Sequence, residues 1–471
     1  MRFRRTDRSR KARETKPRRS SIFHGAPGFF AELANPERRR TLLVEPLEDR
    51  AMLSITLYVA NSYEDVTQGN IVTSTPAPGD TVNWNGGSNL GAQSSLVFGT
   101  SAFTSINAAM AAASNGDTIE VAPGVYSETI GITKSVTLEG ANAGIHPVVG
   151  TSTASPGTRV AETTLQLGTY GLNPQADNIT IDGFTITNVP AGTGNGLIST
   201  NSDANNFHLT NNIFDDQVTA VTGAPVLFGS GSHTDMLIDY NQFQDKGEST
   251  LYFGGGAAGT YDRLHVEYNY FNGTGNGVFW AGNALVDGVV KGNEFDGMVG
   301  GSRVGGPALN IGQGGNLDIQ DNHFHDMSYT ALQVGLDGGQ IVGNTFDHIE
   351  NPYAAYNGAD IQLWGGEYGT TISTNVTISG NLLNYNDTPS STGPANAIRL
   401  RGPDSPPNGS IDASTIHING NSFVNGGAGS GGIAIVNNGD PTKTIDASAN
   451  WWGTTDATII PTLVSGSEVD F

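Results

Sequence analysis

Nine times between residues 212 and 452 the chain returns to one short phrase, an Asn two positions ahead of a Phe or a close substitute. The pairs are Asn212/Phe214, Asn241/Phe243, Asn269/Phe271, Asn293/Phe295, Asn322/Phe324, Asn344/Phe346, Asn381/Leu383, Asn421/Phe423 and Asn450/Trp452. Successive Asn residues are 29, 28, 24, 29, 22, 37, 40 and 29 positions apart. Self-similarity at such intervals marks a solenoid, in which each repeat buries its apolar face against the next. Between the repeats lies a second phrase: "APVLFG", "TLYFGG", "GVFWAG", "ALNIGQG", "ALQVGL", "IQLWGG", "AIRLRG" and "GIAIVNN". Two or three short strands per repeat, with no helix between them, point to an all-β parallel β-helix. Roughly eleven coils at about 4.8 Å each would make a stack on the order of 50 Å long.

In such a stack like residues lie on like. An inward Phe column makes a continuous apolar core, and an Asn column at a tight turn bonds along the stack and satisfies turn backbone. Both columns are therefore read as setting shape rather than carrying chemistry. The 64 glycines among 471 residues fit a chain with a turn at every corner. The absence of cysteine removes disulfides, thiolate metal sites and a cysteine nucleophile, so the stacked core must stabilise the chain without bridges.

Charge divides the chain. Residues 1–50 hold 14 of the 23 Lys and Arg but only 7 of the 45 Asp and Glu; the remainder holds 9 basic and 38 acidic residues. A body this acidic argues against nucleic-acid binding, which needs clustered basic side chains. No apolar run approaches the roughly 18 residues that cross a membrane as a helix. Residues 1–54 read as a basic targeting or disordered leader, without the core of about 7–15 apolar residues of an ordinary signal peptide. Its end, "RRRTLLVEPLEDRAMLS" (38–54), resembles an N-terminal segment of large exported bacterial proteins, a basic stretch followed by Leu-Glu-x-Arg-x-Leu-Ser. The match runs from Leu47 to Ser54 with one extra residue. It implies export to the cell surface or beyond. Residues 55–102 read as a strand, "ITLYVA", and an irregular segment. In "FTSINAAMAAASNGD" (103–117), Ser105 suits a helix N-cap, Gly116 suits the end, and Ile106, Ala109, Met110 and Ala113 share a face. One short helix ahead of many strands reads as a cap on the first coil, so 103–471 is one β-helix domain.

From residue 103 onward the chain resembles the pectin-lyase-like superfamily of right-handed parallel β-helices. "GDTIEVAPGVYSETI" resembles the entry coil of members of that superfamily. "VTLEGA", "ITIDGFTITN" and "VTISGNLLNYN" resemble its coils, and "IDASANWWGT" resembles a closing coil of exported bacterial members. The resemblance implies the fold and leaves the activity open, because this fold serves lyases, hydrolases, esterases, epimerases and adhesins. The catalytic phrases of its enzymes are missing. There is no Trp-x-Asp-His, Gly-His-Gly, Arg-x-Lys, Gly-x-Val-Asp-Phe-Ile-Phe, Leu-Gly-Arg-Pro-Trp or Asp-Pro-His-Asp, so no catalytic residue carries over.

Two outward columns are candidates for chemistry. Aligning the second phrase by its inward residues gives Leu227, Tyr252, Phe279, Asn310, Gln333, Gln362, Arg399 and Ala434, with Trp364 and Arg401 two positions further on the same face. Rings that stack on sugar faces, amides that bond hydroxyls and guanidinium forks for carboxylate or sulfate would suit an acidic polysaccharide. Only five Arg follow position 50, and two of them stand in "IRLRG". The bland alternative is that loops cover this face. The second column follows the inward Phe: Asp215, Gln244, Asn272, Asp296, His325, Asp347 and Asn384. Stacking sets His325 between Asp296 and Asp347, with Asp326 and His348 adjacent, an arrangement for acid–base work or for a cation. No cofactor is specified by this pattern; loosely bound Ca²⁺ is the ion the acidic turns suggest. The alternative is a solvated polar turn.

The expectation is an exported β-helix protein that binds an acidic polysaccharide and processes it in a lyase- or hydrolase-like way. Arg399 or Arg401 would act as carboxylate clamp, because a guanidinium is a poor base. His325 with Asp296 or Asp347 would form the alternative acid–base pair. Tyr252, Phe279, Asn310, Gln333, Gln362 and Trp364 would bind substrate. The competing expectation is a non-catalytic surface or adhesive rod.

Overall fold

The computed structural model describes residues 53–147, 157–168, 170–188, 196–215, 224–245, 249–254, 260–273, 276–280, 285–297, 307–349, 359–364, 373–385, 396–401, 411–425, 432–438, 443–466 and 469–471, with backbone alone at 188, 245, 276–280 and 313. The leader up to residue 52 lies outside them.

Alternation makes the strands. In Thr118–Val121, Thr137–Glu139 and Thr180–Asp182 every second side chain, Ile119, Val121, Leu138 and Ile181, is buried while its neighbours face outward. That is the period of a half-covered strand. A three-residue strand does not stand alone, so each depends on the coil before and after it. Most described strands form a 28-stranded and an 11-stranded sheet, paired in parallel from coil to coil. The larger sheet covers two faces of the coils. Leu309–Gln320 and Leu332–Val342 run across both, pairing early with Asn276–Trp280 and Ala359–Leu363 and late with Val289–Lys291 and Val376–Ser379. The 11-stranded sheet is the third face, ordered along the chain from Gly124–Tyr126 to Ser422–Asn425. The parallel β-helix expected from the repeats is the fold observed.

The repeated phrase has the role its spacing implies. Phe214, Phe243, Phe271, Phe295, Phe324 and Phe346 stack in one column with centroids 4.8, 4.9, 4.7, 4.8 and 5.0 Å apart. Leu383 interrupts the rings, and Phe423 and Trp452 resume them at 5.1 Å. Beside them, Oδ1 of each Asn from Asn241 onward accepts the backbone N–H and the side-chain N–H of the Asn one coil earlier, and Asn212 Oδ1 accepts from Phe184 N. At Asn293 these distances are 2.9 and 3.1 Å from Asn269, and the Asn293 Nδ2 donates onward to Val266 O and Asn322 Oδ1. The residue before every ladder Asn turns into the left-handed region, with φ between 52° and 68°. Gly fills that position at 292, 343, 380 and 420 without penalty and Asn211 and Asp321 tolerate it, while Tyr240, Tyr268 and Ala449 hold it against their own preference. The coil corner is thus fixed by side-chain amide bonds rather than by glycine alone.

At the N-terminal end the helix is Ile106–Ala112, capped by Ser105 Oγ accepting from Ala108 N, with Ile106, Ala109 and Met110 buried. It is shorter than the sequence reading. Its C-terminal carbonyls of Met110 and Ala111 accept from Lys134 Nζ at 2.9 Å each, and its first N–H groups, of Ile106 and Asn107, reach the Glu128 carboxylate. It lies against Thr56–Val59, Thr118–Val121 and Ile130–Ile132, covering the first coil as expected. The stretch read as irregular contains a four-stranded antiparallel sheet, Tyr63–Asp65, Ile71–Thr73, Thr81–Asn85 and Ala92–Val97, around its own small core of Tyr63, Val82 and Trp84.

Candidate functional site

The first outward column lies on the 28-stranded sheet. Leu227, Tyr252, Phe279, Asn310, Gln333, Gln362 and Arg399 pair in unbroken register, one strand each. The column then continues at Val436, not at Ala434. Ala434 is fully buried and one pleat earlier. A slip of two residues preserves the inward–outward alternation, so alternation cannot detect it. Tyr252, Asn310 and Gln333 are half-buried. Gln362, Trp364 and Arg399 retain only 4, 8 and 8% of their exposure, so the column closes toward its C-terminal end instead of remaining open. The Phe279 side chain lies outside the described residues. Beyond the strand ends, the Arg401 guanidinium carbon stands 5.7 Å from the centre of the Trp364 ring, within cation–π reach. Arg401 is half-buried.

The second column lies on the 11-stranded sheet, so Arg399 and Arg401 share no sheet with His325, Asp296 and Asp347. Here Asn272, Asp296, His325 and Asp347 pair rung by rung as read from the sequence. The side chains meet differently. His325 Nε2 lies 3.1 Å from Glu294 Oε1, and its Nδ1 lies 2.9 Å from Asp326 Oδ2 and 3.6 Å from Asp296 Oδ1. Asp347 instead reaches His323 Nε2 at 3.1 Å. His323 and His325 flank the inward Phe324 with ring centres 4.4 Å apart. His348 Nδ1 lies 3.6 Å from Asp326. A further layer holds the carboxylates: Tyr270 donates to Asp296 Oδ2 at 2.6 Å, and Asn384 Nδ2 donates to Asp347 Oδ1.

The electrostatics follow from these contacts. The Glu294 hydrogen bond, against the cost of burial and aided by Asp326 and Asp296, raises the His325 pKa to about 9. Burial, then the Asp296 bond, pushes the Tyr270 hydroxyl up to about 12. His325 is therefore a cation at neutral pH, which disfavours it as a general base there. Glu294 and His323 were not singled out from sequence. The signal was present: residues on both sides of an inward Phe face outward, so the residue before Phe forms its own column, with Tyr270, Glu294, His323 and Thr345 in register.

A third outward column escaped the sequence reading altogether. Glu120, Glu139 and Asp182 stand on successive rungs. Burial, then Glu139, raises Glu120 to about 7. Burial, then Asp182, raises Glu139, and burial raises Asp182 despite bonds from Asn211 and Gly144.

No protein-family model matches the sequence, and no curated protein matches it either.

Proposed function

We propose that this chain is an exported β-helix protein of the pectin-lyase-like type that binds an acidic polysaccharide along the outer face of its long sheet. The observation that carries the reading is the in-register run of strand positions 252, 279, 310 and 333, on which Tyr252, Asn310 and Gln333 stand as half-buried aromatic or polar side chains. A rung repeat of about 4.8 Å is comparable to the advance of a glycan by one sugar ring, so a chain laid along the stack meets the same kind of contact on each coil. Arg401, turned against Trp364, is the cation best placed to meet a carboxylate or sulfate. Arg399 is the less accessible of the two.

The acidic body, 38 Asp and Glu against 9 Lys and Arg beyond residue 50, repels a polyanion. Binding should therefore strengthen with salt or with Ca²⁺, which bridges carboxylates. The burial of Gln362 and Arg399 favours a second reading for the C-terminal end of the column, a non-catalytic surface role in which those side chains serve packing. The full chain is screened against uronate-containing, sulfated and neutral polysaccharides, with and without Ca²⁺, while ultraviolet absorbance reports unsaturated uronate products. The expectation is retention of acidic glycans that falls at least tenfold in Tyr252→Ala and Arg401→Gln. No retention of any acidic glycan rejects glycan binding. Retention without ultraviolet change supports binding without lyase chemistry.

A further inference from the structure

The pair His323 and His325 was not needed for glycan binding, and it stands on the other sheet. Its surroundings have a definite composition. Two imidazoles leave one strand on the same outward face, because Phe324 between them points into the core. Glu294, only 4% exposed, comes from the preceding coil directly opposite His323. One ligand atom from each of Glu294, His323 and His325 lies within 4.8 Å of the other two. A tetrahedral shell with bonds of about 2.0–2.1 Å sets its ligand atoms roughly 3.4 Å apart, the spacing to which these three atoms would close around an ion.

Each imidazole is also held by a carboxylate outside that set. Asp347, itself bonded by Asn384, holds His323 at 3.1 Å, and Asp326 holds His325 Nδ1 at 2.9 Å. Outer carboxylates of this kind fix ring orientation and raise ligand basicity at metal-bound histidines. Four carboxylates, Glu294, Asp296, Asp326 and Asp347, converge on the two rings.

We propose that Glu294, His323 and His325 bind a divalent transition-metal ion of the Zn²⁺ class. Asp347 and Asp326 orient the two histidines from behind. Two nitrogens and one carboxylate oxygen suit Zn²⁺ or its borderline neighbours, and not Ca²⁺, which takes an all-oxygen shell of six to eight ligands. Ca²⁺ as read from the acidic turns is thus the wrong ion for this place. Three protein ligands leave a position for solvent or an anionic group.

The test uses the full chain, stripped with chelator and titrated with Zn²⁺, Co²⁺ and Ca²⁺ by calorimetry and by equilibrium dialysis with elemental analysis. One Zn²⁺ per chain is expected, with no matching Ca²⁺ binding. Co²⁺ should give the visible absorption of a centre with four or five ligands, abolished by one equivalent of Zn²⁺; this reads the site in the wild-type chain without any variant. Affinity should fall at least a hundredfold in His323→Asn and in His325→Asn. Asp347→Asn, which keeps the shape of the side chain, should cost roughly ten- to a hundredfold. The proposal is overturned by the absence of stoichiometric Zn²⁺, by a Co²⁺ spectrum of the aqueous ion, or by Zn²⁺ binding that His323→Asn and His325→Asn leave intact.

Discussion

Two outward ladders of this molecule are built by the same parallel stacking and respond to it in opposite ways. In the first coils the register aligns Glu120, Glu139 and Asp182, three groups of one kind, and burial with mutual repulsion pushes the carboxyl pKa values up. In the middle coils it interleaves Glu294 and Asp296 with His323 and His325, then Asp347, and the imidazolium of His325 is favoured instead. Parallel stacking supplies adjacency at about 4.8 Å and is indifferent to sign. The sequence chooses whether adjacency strains or stabilises.

The largest effect should come from the interior that holds the second ladder in place. Phe295→Ala removes a fully buried ring from the stack beneath Glu294 and Asp296 and should cost about 3–5 kcal/mol in denaturant unfolding. If the register is local to each coil, the midpoint of His325 titration by NMR falls in this variant while that of Glu120 stays put. Equal disturbance of both would break the comparison.

Next in size is His325 itself. Its pKa is raised from 6.5 to about 9, so its contribution is complete below pH 6.5 and is lost as pH rises through 9. His325→Asn should lower stability at pH 6 by about 1–2 kcal/mol and leave it unchanged at pH 10. A difference that grows with pH would contradict the ion-pair reading.

Smallest is Glu120. Its pKa is raised from 4.5 to about 7, so the stability linked to it is also complete at low pH, below 4.5, and lost as pH rises through 7. Here the charged form is the unfavourable one. Glu120→Gln should therefore raise the unfolding free energy at pH 8, by less than about 1 kcal/mol, and have no effect at pH 4. The two substitutions sharpen the contrast by carrying opposite signs.

Much of this was legible in the residues. The Asn-x-Phe spacing gave the solenoid because both side chains serve the stack itself, one by amide bonds and one by packing. The outward columns followed from alternation, and Asn272, Asp296, His325 and Asp347 fell in register as read. What alternation hides is any slip of two residues, hence Val436 in place of Ala434. It also hides diagonal reach: Asp347 faces His325 across the ladder yet bonds to His323. Burial was illegible for Gln362, Trp364 and Arg399, since exposure depends on what covers a face as well as on which way a strand points. The antiparallel sheet of residues 63–97 gave no repeat to read, because its strands pair with one another rather than from coil to coil, and it meets the first coil only through side chains such as Tyr63 and Trp84.

Everything above rests on remote segments lying one rung apart, and the missing cysteines make that directly measurable. Spin labels are placed at Val424→Cys and, in turn, at Asn272→Cys, Gln244→Cys and Asp215→Cys, all on the outward column of the 11-stranded sheet. Pulsed dipolar spectroscopy should return distances rising in even steps of about 4.8 Å, near 24, 29 and 34 Å for five, six and seven rungs. Distances that fail to rise in that order, or that scatter without a common step, would contradict the stacked register.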